Sequence, residues 1–159
     1  MKKRKIYLIN PKNPENFWTM DSSVRAVGVK TLMPNAALAT LVALTPKEAG
    51  IEYHYCDENV SPILWEGDYD LVAVTGFVLH SARIREICAG FRKKGVPVAL
   101  GGVYATLYAH EAGQYADHLF IGEAEYTWPR FLSQWAAGTA QSVYRQEEHV
   151  DLKDSPAPD

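Results

Sequence analysis

The sequence predicts an α/β domain, a doubly wound five-stranded parallel sheet with helices on both faces. Three observations predict it. Short runs rich in β-branched residues alternate with stretches of helical period. Leu71-Val72-Ala73-Val74-Thr75 is apolar almost throughout, the mark of a strand covered on both sides. Glycines stand where strands finish, at Gly76, Gly101-Gly102 and Gly122. There a backbone without Cβ can turn sharply and approach a ligand at the carboxyl edge of the sheet.

Each element follows from local chemistry. Ile6 to Asn10 is a β-rich run closed by Pro11. Residues 11–33 have no period and contain Pro11, Pro14 and Gly28, which predicts a long loop and a candidate for ligand contact. Pro34 and Asn35 precede a helix with Leu38, Leu41, Val42 and Thr45 on one face, ended near Thr45 by Pro46 and Gly50. Ile51 to Cys56 is the second strand and Asp57-Glu58-Asn59 its end; residues 60–69 are irregular, and Leu71 to Thr75 is the third strand. Ser81 is placed to cap a helix whose Ile84, Ile87, Cys88 and Phe91 share one side, and Lys93-Lys94-Gly95 stops it.

Val96 to Leu100 is the fourth strand, Thr106 to Tyr115 a short helix, and His118 to Ile121 the fifth strand. Trp128, Phe131, Leu132 and Trp135 recur at helical spacing up to Gly138. The acidic end from Glu147, with Pro156 and Pro158, reads as a linker or frayed tail, dividing the chain into a domain over 1–145 and a tail over 146–159. Right-handed crossovers then favour the strand order 2-1-3-4-5 of flavodoxin-like folds, with ligands near the switch between the first and third strands.

Composition narrows the function. The 159 residues suffice for one core, and 47% hydrophobic with 22% charged residues is ordinary for a globular domain. A net charge of −3 argues against a dedicated nucleic-acid binder, and Lys2 to Lys5 reads as a solvated start. Cys56 and Cys88 form no CxxC or CxxxCxxC, so they predict buried free thiols rather than a cluster site. The sequence has neither an apolar run of membrane length nor a signal-peptide pattern, and a cytoplasmic location is expected.

Several chemistries lack their residues. No GxGxxG opens the first helix, so Asp57 is a poor ribose ligand for a dinucleotide. The third strand ends in Thr75 without the aspartate of a phosphoacceptor domain, and Asn10-Pro11-Lys12-Asn13-Pro14 is no flavin phosphate loop. Glu123 and Glu125 suit helix N-terminal charges or acceptors for ligand hydroxyls and amides better than an acid/base pair. His110-Glu111 has no accompanying ligand pair for a metal. Tyr104, Tyr108 and Tyr115 either line a pocket or pack; no catalytic residue and no metal ligand is assigned.

Taken in order, the segments resemble the cobalamin-binding domain at the N-terminus of cobalamin-dependent radical SAM enzymes. Met33-Pro34 leading into Asn35 to Leu41 is similar to that family's P-x-G-L-x-x-L helix; Asp57-Glu58-Asn59, Thr75-Gly76, Gly101 to Thr106 and Gly122-Glu123-Ala124-Glu125 with Trp128 resemble its remaining strand ends and loops. The resemblance implies cobalamin held at the carboxyl edge, with its nucleotide tail among the loops. It implies contacts from Asn10, Thr75, Gly76, Phe77, Leu79, His80, Gly101, Gly102, Val103, Tyr104, Ala105, Gly122, Glu123, Ala124 and Glu125. Helix starts near Ser81 and Ala105 are expected to offer N–H groups to phosphate or carbonyl oxygens. Both paired glycines are expected to clear the tail's path, so Gly102→Trp should evict the ligand without unfolding the chain.

Three departures qualify the resemblance. Val103 and Tyr104 replace the usual Pro-His. The D-x-H-x-x-G register holds Asn10, Lys12 and Glu15, so no histidine from this loop is expected beneath cobalt, leaving His80 as a possible neighbour or simply a polar residue before a helix. Without CxxxCxxC the chain is not catalytic alone; the [4Fe–4S] cluster and S-adenosylmethionine would belong to a radical SAM catalytic domain, in cis or in trans, in a methyltransferase-type enzyme. The alternative is a domain that has lost its cofactor and serves docking or substrate recognition.

Overall fold

The computed structural model describes residues 3–14, 28, 35–151, 153 and 155–157. The loop expected over 15–34, apart from Gly28, and the Met33-Pro34 start of the resemblance lie outside the described residues.

The sheet is open and parallel throughout, with strands β1 Arg4–Asn10, β2 Ile51–Asp57, β3 Leu71–Thr75, β4 Val98–Gly101, β5 His118–Ile121 and β6 Val143–Arg145 in the order β2-β1-β3-β4-β5-β6. The expected five-strand order is present, extended by a sixth strand. Val143 and Arg145 point to solvent and only Tyr144 is buried, so this short strand carries no apolar run. Tyr144 stacks on Phe120 at 5.2 Å between ring centroids and its hydroxyl donates to Gln134 Oε1 at 2.6 Å.

Helix α1 spans Ala36–Ala43 and is capped by Asn35, whose Oδ1 accepts from the Ala37 N–H. It stops before Pro46, and Gly50 turns the chain into β2 at φ 62°. Helix α2, Ser81–Lys93, follows a 3-10 turn over Val78–His80, so Ser81 opens the helix instead of capping it. The helix expected over 106–115 is two short ones, α3 Gly102–Leu107 and α4 Ala109–Ala112, with Tyr108 at φ −121°, ψ 43° between them. The start shifts because Gly102, at φ 88°, turns the end of β4 straight into the helix. Helix α5 is Thr127–Ala136.

The strands divide the core in two. Tyr7, Ile9, Val72, Val74, Val98 and Leu100 pack on Ile84, Ile87, Cys88 and Phe91 of α2 and on Tyr104, Ala105 and Ala112. Ile6, Leu8, Leu71, Ala73, Ala99 and Phe120 meet Leu38 of α1 and Trp128, Phe131 and Leu132 of α5. Both cysteines are buried free thiols, and burial pushes Cys88 up to about 12. Among the described residues no helix is long and apolar enough to cross a membrane. The described part of the tail folds back: the Val150 N–H donates to Glu123 Oε2 at 3.0 Å and the Ser155 hydroxyl to Glu125 Oε1 at 3.2 Å.

Candidate functional site

A crevice opens at the carboxyl edge on the α1/α5 side. Its floor follows from strand register. Ala73 pairs with Ala99 and Thr75 with Gly101, so four small residues of β3 and β4 form one patch. Leu38 and Leu41 of α1 and Phe120 and Trp128 opposite make apolar walls; Thr40, Glu123, Ala124 and Glu125 are among the other lining residues. The open volume is about 230 Å³. No described residue hydrogen-bonds the Thr75 hydroxyl, which leaves a donor and acceptor on the floor of the slot.

The two adjacent glycines do different work. Gly101 has ordinary extended φ (−137°), and a Cβ there would meet only Phe120 Cβ at 3.5 Å. A side chain at 101 is therefore free to enter the crevice. Gly102 is left-handed, and its Cβ would fall 2.5 Å from Thr75 Oγ1 and 3.0 Å from the Gly76 nitrogen. Its bareness serves loop packing, reinforced by the Tyr104 N–H donating to Gly76 O at 3.0 Å. Gly102→Trp is thus a folding lesion, which corrects the expectation that it would act on a ligand alone.

The remaining predicted residues fall into three groups. Phe77 (56% exposed), Leu79 (50%) and Val103 (41%), with Val78, form an exposed apolar ledge at the ends of β3 and β4. Gly122, Glu123, Ala124 and Glu125 border the crevice. The Gly122 N–H donates to Thr106 Oγ1, and a Cβ on Gly122 would strike Gln146 O at 2.8 Å. The third group is turned inward. Asn10 is buried and accepts from Asn35 Nδ2 at 2.9 Å, tying α1 to the end of β1. Tyr104 and Ala105 lie in the core on the opposite side of the sheet from the crevice. The Tyr104 hydroxyl donates to Glu111 Oε1 at 2.9 Å, and Arg85 pairs with the same oxygen. Burial first, and Glu111 second, push the Tyr104 phenol up to about 12. Glu111 is a structural acceptor, and Ala105 sits within α3 instead of at a helix start.

His80 is buried, and both its ring nitrogens are engaged: Nδ1 accepts from the Phe77 N–H at 3.0 Å and Nε2 stands 2.8 Å from Asn13 Oδ1. Burial lowers its pKa against the opposing pull of Asp57. The residues sequence reasoning missed are the floor alanines Ala73 and Ala99 and the walls Leu38, Leu41, Phe120 and Trp128. The available signal was the alternation of Ala73, Thr75, Ala99 and Gly101 with bulky Val72, Val74, Val98 and Leu100 toward the carboxyl ends of β3 and β4.

A parallel sheet of this order with helices on both faces belongs to the class of open-sheet α/β domains, and its slot and apolar ledge lie at the carboxyl edge. More particularly, the chain is related to part of several methyltransferases. It is 36% identical over 123 residues to a bacteriochlorophyllide d C-8(2)-methyltransferase of Chlorobaculum tepidum, an alignment covering 76% of this chain and 25% of that protein. It is 31% identical over 157 residues to an uncharacterized methyltransferase of Synechocystis, covering 95% and 28%. A bacteriochlorophyllide d C-12(1)-methyltransferase of Chlorobaculum tepidum is 23% identical over 159 residues, covering 99% and 33%. The chain thus spans a quarter to a third of the length of these relatives. The N-terminal domain of a hypothetical protein from Thermotoga maritima shares the fold, with a TM-score of 0.51 at 18% identity over 72% of this chain and 94% of that one. No family model matches the chain.

Proposed function

We propose that this chain is the cobalamin-binding module of a methyltransferase of the cobalamin-dependent radical SAM type. The observation that carries the reading is the four-residue floor of Ala73, Ala99, Thr75 and Gly101, side by side in register beneath a cleft at the ligand-binding edge. It is a cradle that one added side chain at Gly101 would fill. The similarity to methyltransferases and the motif resemblance support the same reading.

In this reading the crevice takes the flat nucleotide tail. Leu38, Leu41, Phe120 and Trp128 exclude water from it, while Thr75 offers its hydroxyl. Phe77, Val78, Leu79 and Val103 supply the apolar ledge for the macrocycle, and Glu123 and Glu125 can accept from amide N–H groups at the rim. The chemistry that cofactor supplies is methyl carriage. The loop after β1, whose register holds Asn10, Lys12 and Glu15, would offer the cofactor no histidine from that motif, and His80 has both nitrogens committed. A catalytic domain bearing CxxxCxxC, a [4Fe–4S] cluster and S-adenosylmethionine completes the enzyme, in cis or in trans.

The test is direct. Purified protein is incubated with hydroxocobalamin, desalted, and its visible spectrum recorded. Corrin absorbance is expected to remain with the wild-type chain and to be lost in Gly101→Phe, with far-UV circular dichroism unchanged. A colourless wild-type protein, or equal retention by the variant, overturns the reading and favours a docking or recognition role.

A further inference from the structure

We infer that His80 is a positioning residue that presets the Phe77–Leu79 ledge, through a hydrogen bond from the Phe77 backbone, and does not itself touch the bound ring. The inference rests on the cobalamin reading only for what the ledge receives. Three independent features place the imidazole. Its Nδ1 accepts from the Phe77 N–H, and the His80 N–H donates back to Phe77 O at 2.9 Å, which closes the 3-10 turn. Because Nδ1 accepts, a neutral ring carries its proton on Nε2, which donates to Asn13 Oδ1 in the loop after β1. Asn13 is itself held by its N–H donating to Asn59 Oδ1 at 2.9 Å.

The third feature is Gly76. A Cβ there would lie 2.9 Å from His80 Nδ1 and 3.0 Å from Ile84 Cδ1, so its bareness makes room for the ring. The charged group facing His80 is Asp57 at the end of β2, whose Oδ1 is already shared by the backbone and side-chain nitrogens of Asn59. With that carboxylate occupied and the ring buried, the neutral tautomer is the one that persists.

The consequence is a chain of contacts from the β1 loop to exposed apolar side chains. Phe77, Val78 and Leu79 stay at the surface although burial elsewhere would be favourable, because the turn that carries them is fastened at its root.

Two substitutions separate the ring's two bonds. In His80→Asn the amide oxygen occupies the place of Nδ1 and keeps the Phe77 bond. In His80→Gln the amide reaches the place of Nε2 and loses it. Amide hydrogen exchange of Phe77, read by NMR on ligand-free protein, is expected to stay within about threefold of wild type in His80→Asn and to accelerate about tenfold in His80→Gln, the size of one lost hydrogen bond. Hydroxocobalamin affinity is expected to follow the same order, near wild type for the first and at least about fivefold weaker for the second. Equal Phe77 exchange in the two variants overturns the inference whatever the wild type binds. A wild-type chain that retains no corrin defeats the cofactor reading while the exchange comparison still decides the role of His80.

Discussion

The two faces of this sheet are built from the same strands and end in opposite conditions. Toward α2, β3 and β4 present Val72, Val74, Val98 and Leu100, and aromatic rings fill what remains: Phe91 stacks on Trp65 at 4.9 Å and meets Tyr7 edge-on at 6.1 Å. Toward α1 and α5 the intervening residues of the same strands are Ala73, Thr75, Ala99 and Gly101, and the face stays open at its carboxyl end. One register with period-two alternation thus makes a sealed side that supplies stability and a hollow side that keeps room for a guest.

Four experiments press on that contrast. The largest effect belongs to the sealed side: Phe91→Ala should cost about 3–5 kcal/mol in urea unfolding, because fixed neighbours cannot collapse into the gap. Next, Gly102→Ala should destabilise by about 1–3 kcal/mol through its left-handed φ and the approach to Thr75, while Gly101→Ala stays within about 0.5 kcal/mol. Comparable losses at both positions would show that the glycines share one role.

A third comparison adds bulk to adjacent positions of β4. Val98→Leu overfills the sealed side and should cost about 1–3 kcal/mol. Ala99→Leu, which borders the crevice and can extend into it, should cost less for folding than Val98→Leu and weaken hydroxocobalamin binding about tenfold, about 1.4 kcal/mol. The smallest effect is pH-dependent. The His80 pKa is lowered from 6.5 in the folded chain, so the unfolded chain binds the proton more readily. Its contribution should be flat above about 6.5 and stability should fall as pH drops from there toward the folded value, despite the opposing Asp57. The wild-type minus His80→Asn difference in unfolding free energy, measured from pH 8 to pH 5, should show that slope; a flat difference curve would remove His80 from the account.

The sequence exposed what depends on local pattern. Leu71 to Thr75 and His118 to Ile121 were legible as strands, since each is an apolar run bounded by turns, and the helix carrying Trp128 and Phe131 by its spacing. β6 was not, because only Tyr144 faces inward and its worth comes from Phe120, distant in sequence. The rim glycines stand at the edge where the crevice opens. The crevice itself stayed hidden because Ala73 and Ala99 are unremarked strand residues until β3 and β4 align them. Tyr104 and His80 looked ligand-facing for a related reason: their partners, Glu111 and Asn13, are fixed only by the fold.

The clasp of Gly102 against Thr75 and Gly76 has a mechanical consequence. It fuses the β3 and β4 loops into a fixed jaw. Across the slot, α1 is anchored by a single fully buried side chain, Leu38, and by its Asn35 hinge to Asn10. The width of the slot on that side is therefore set by how α1 packs, through Leu38 and the partly buried Leu41, Val42 and Leu44.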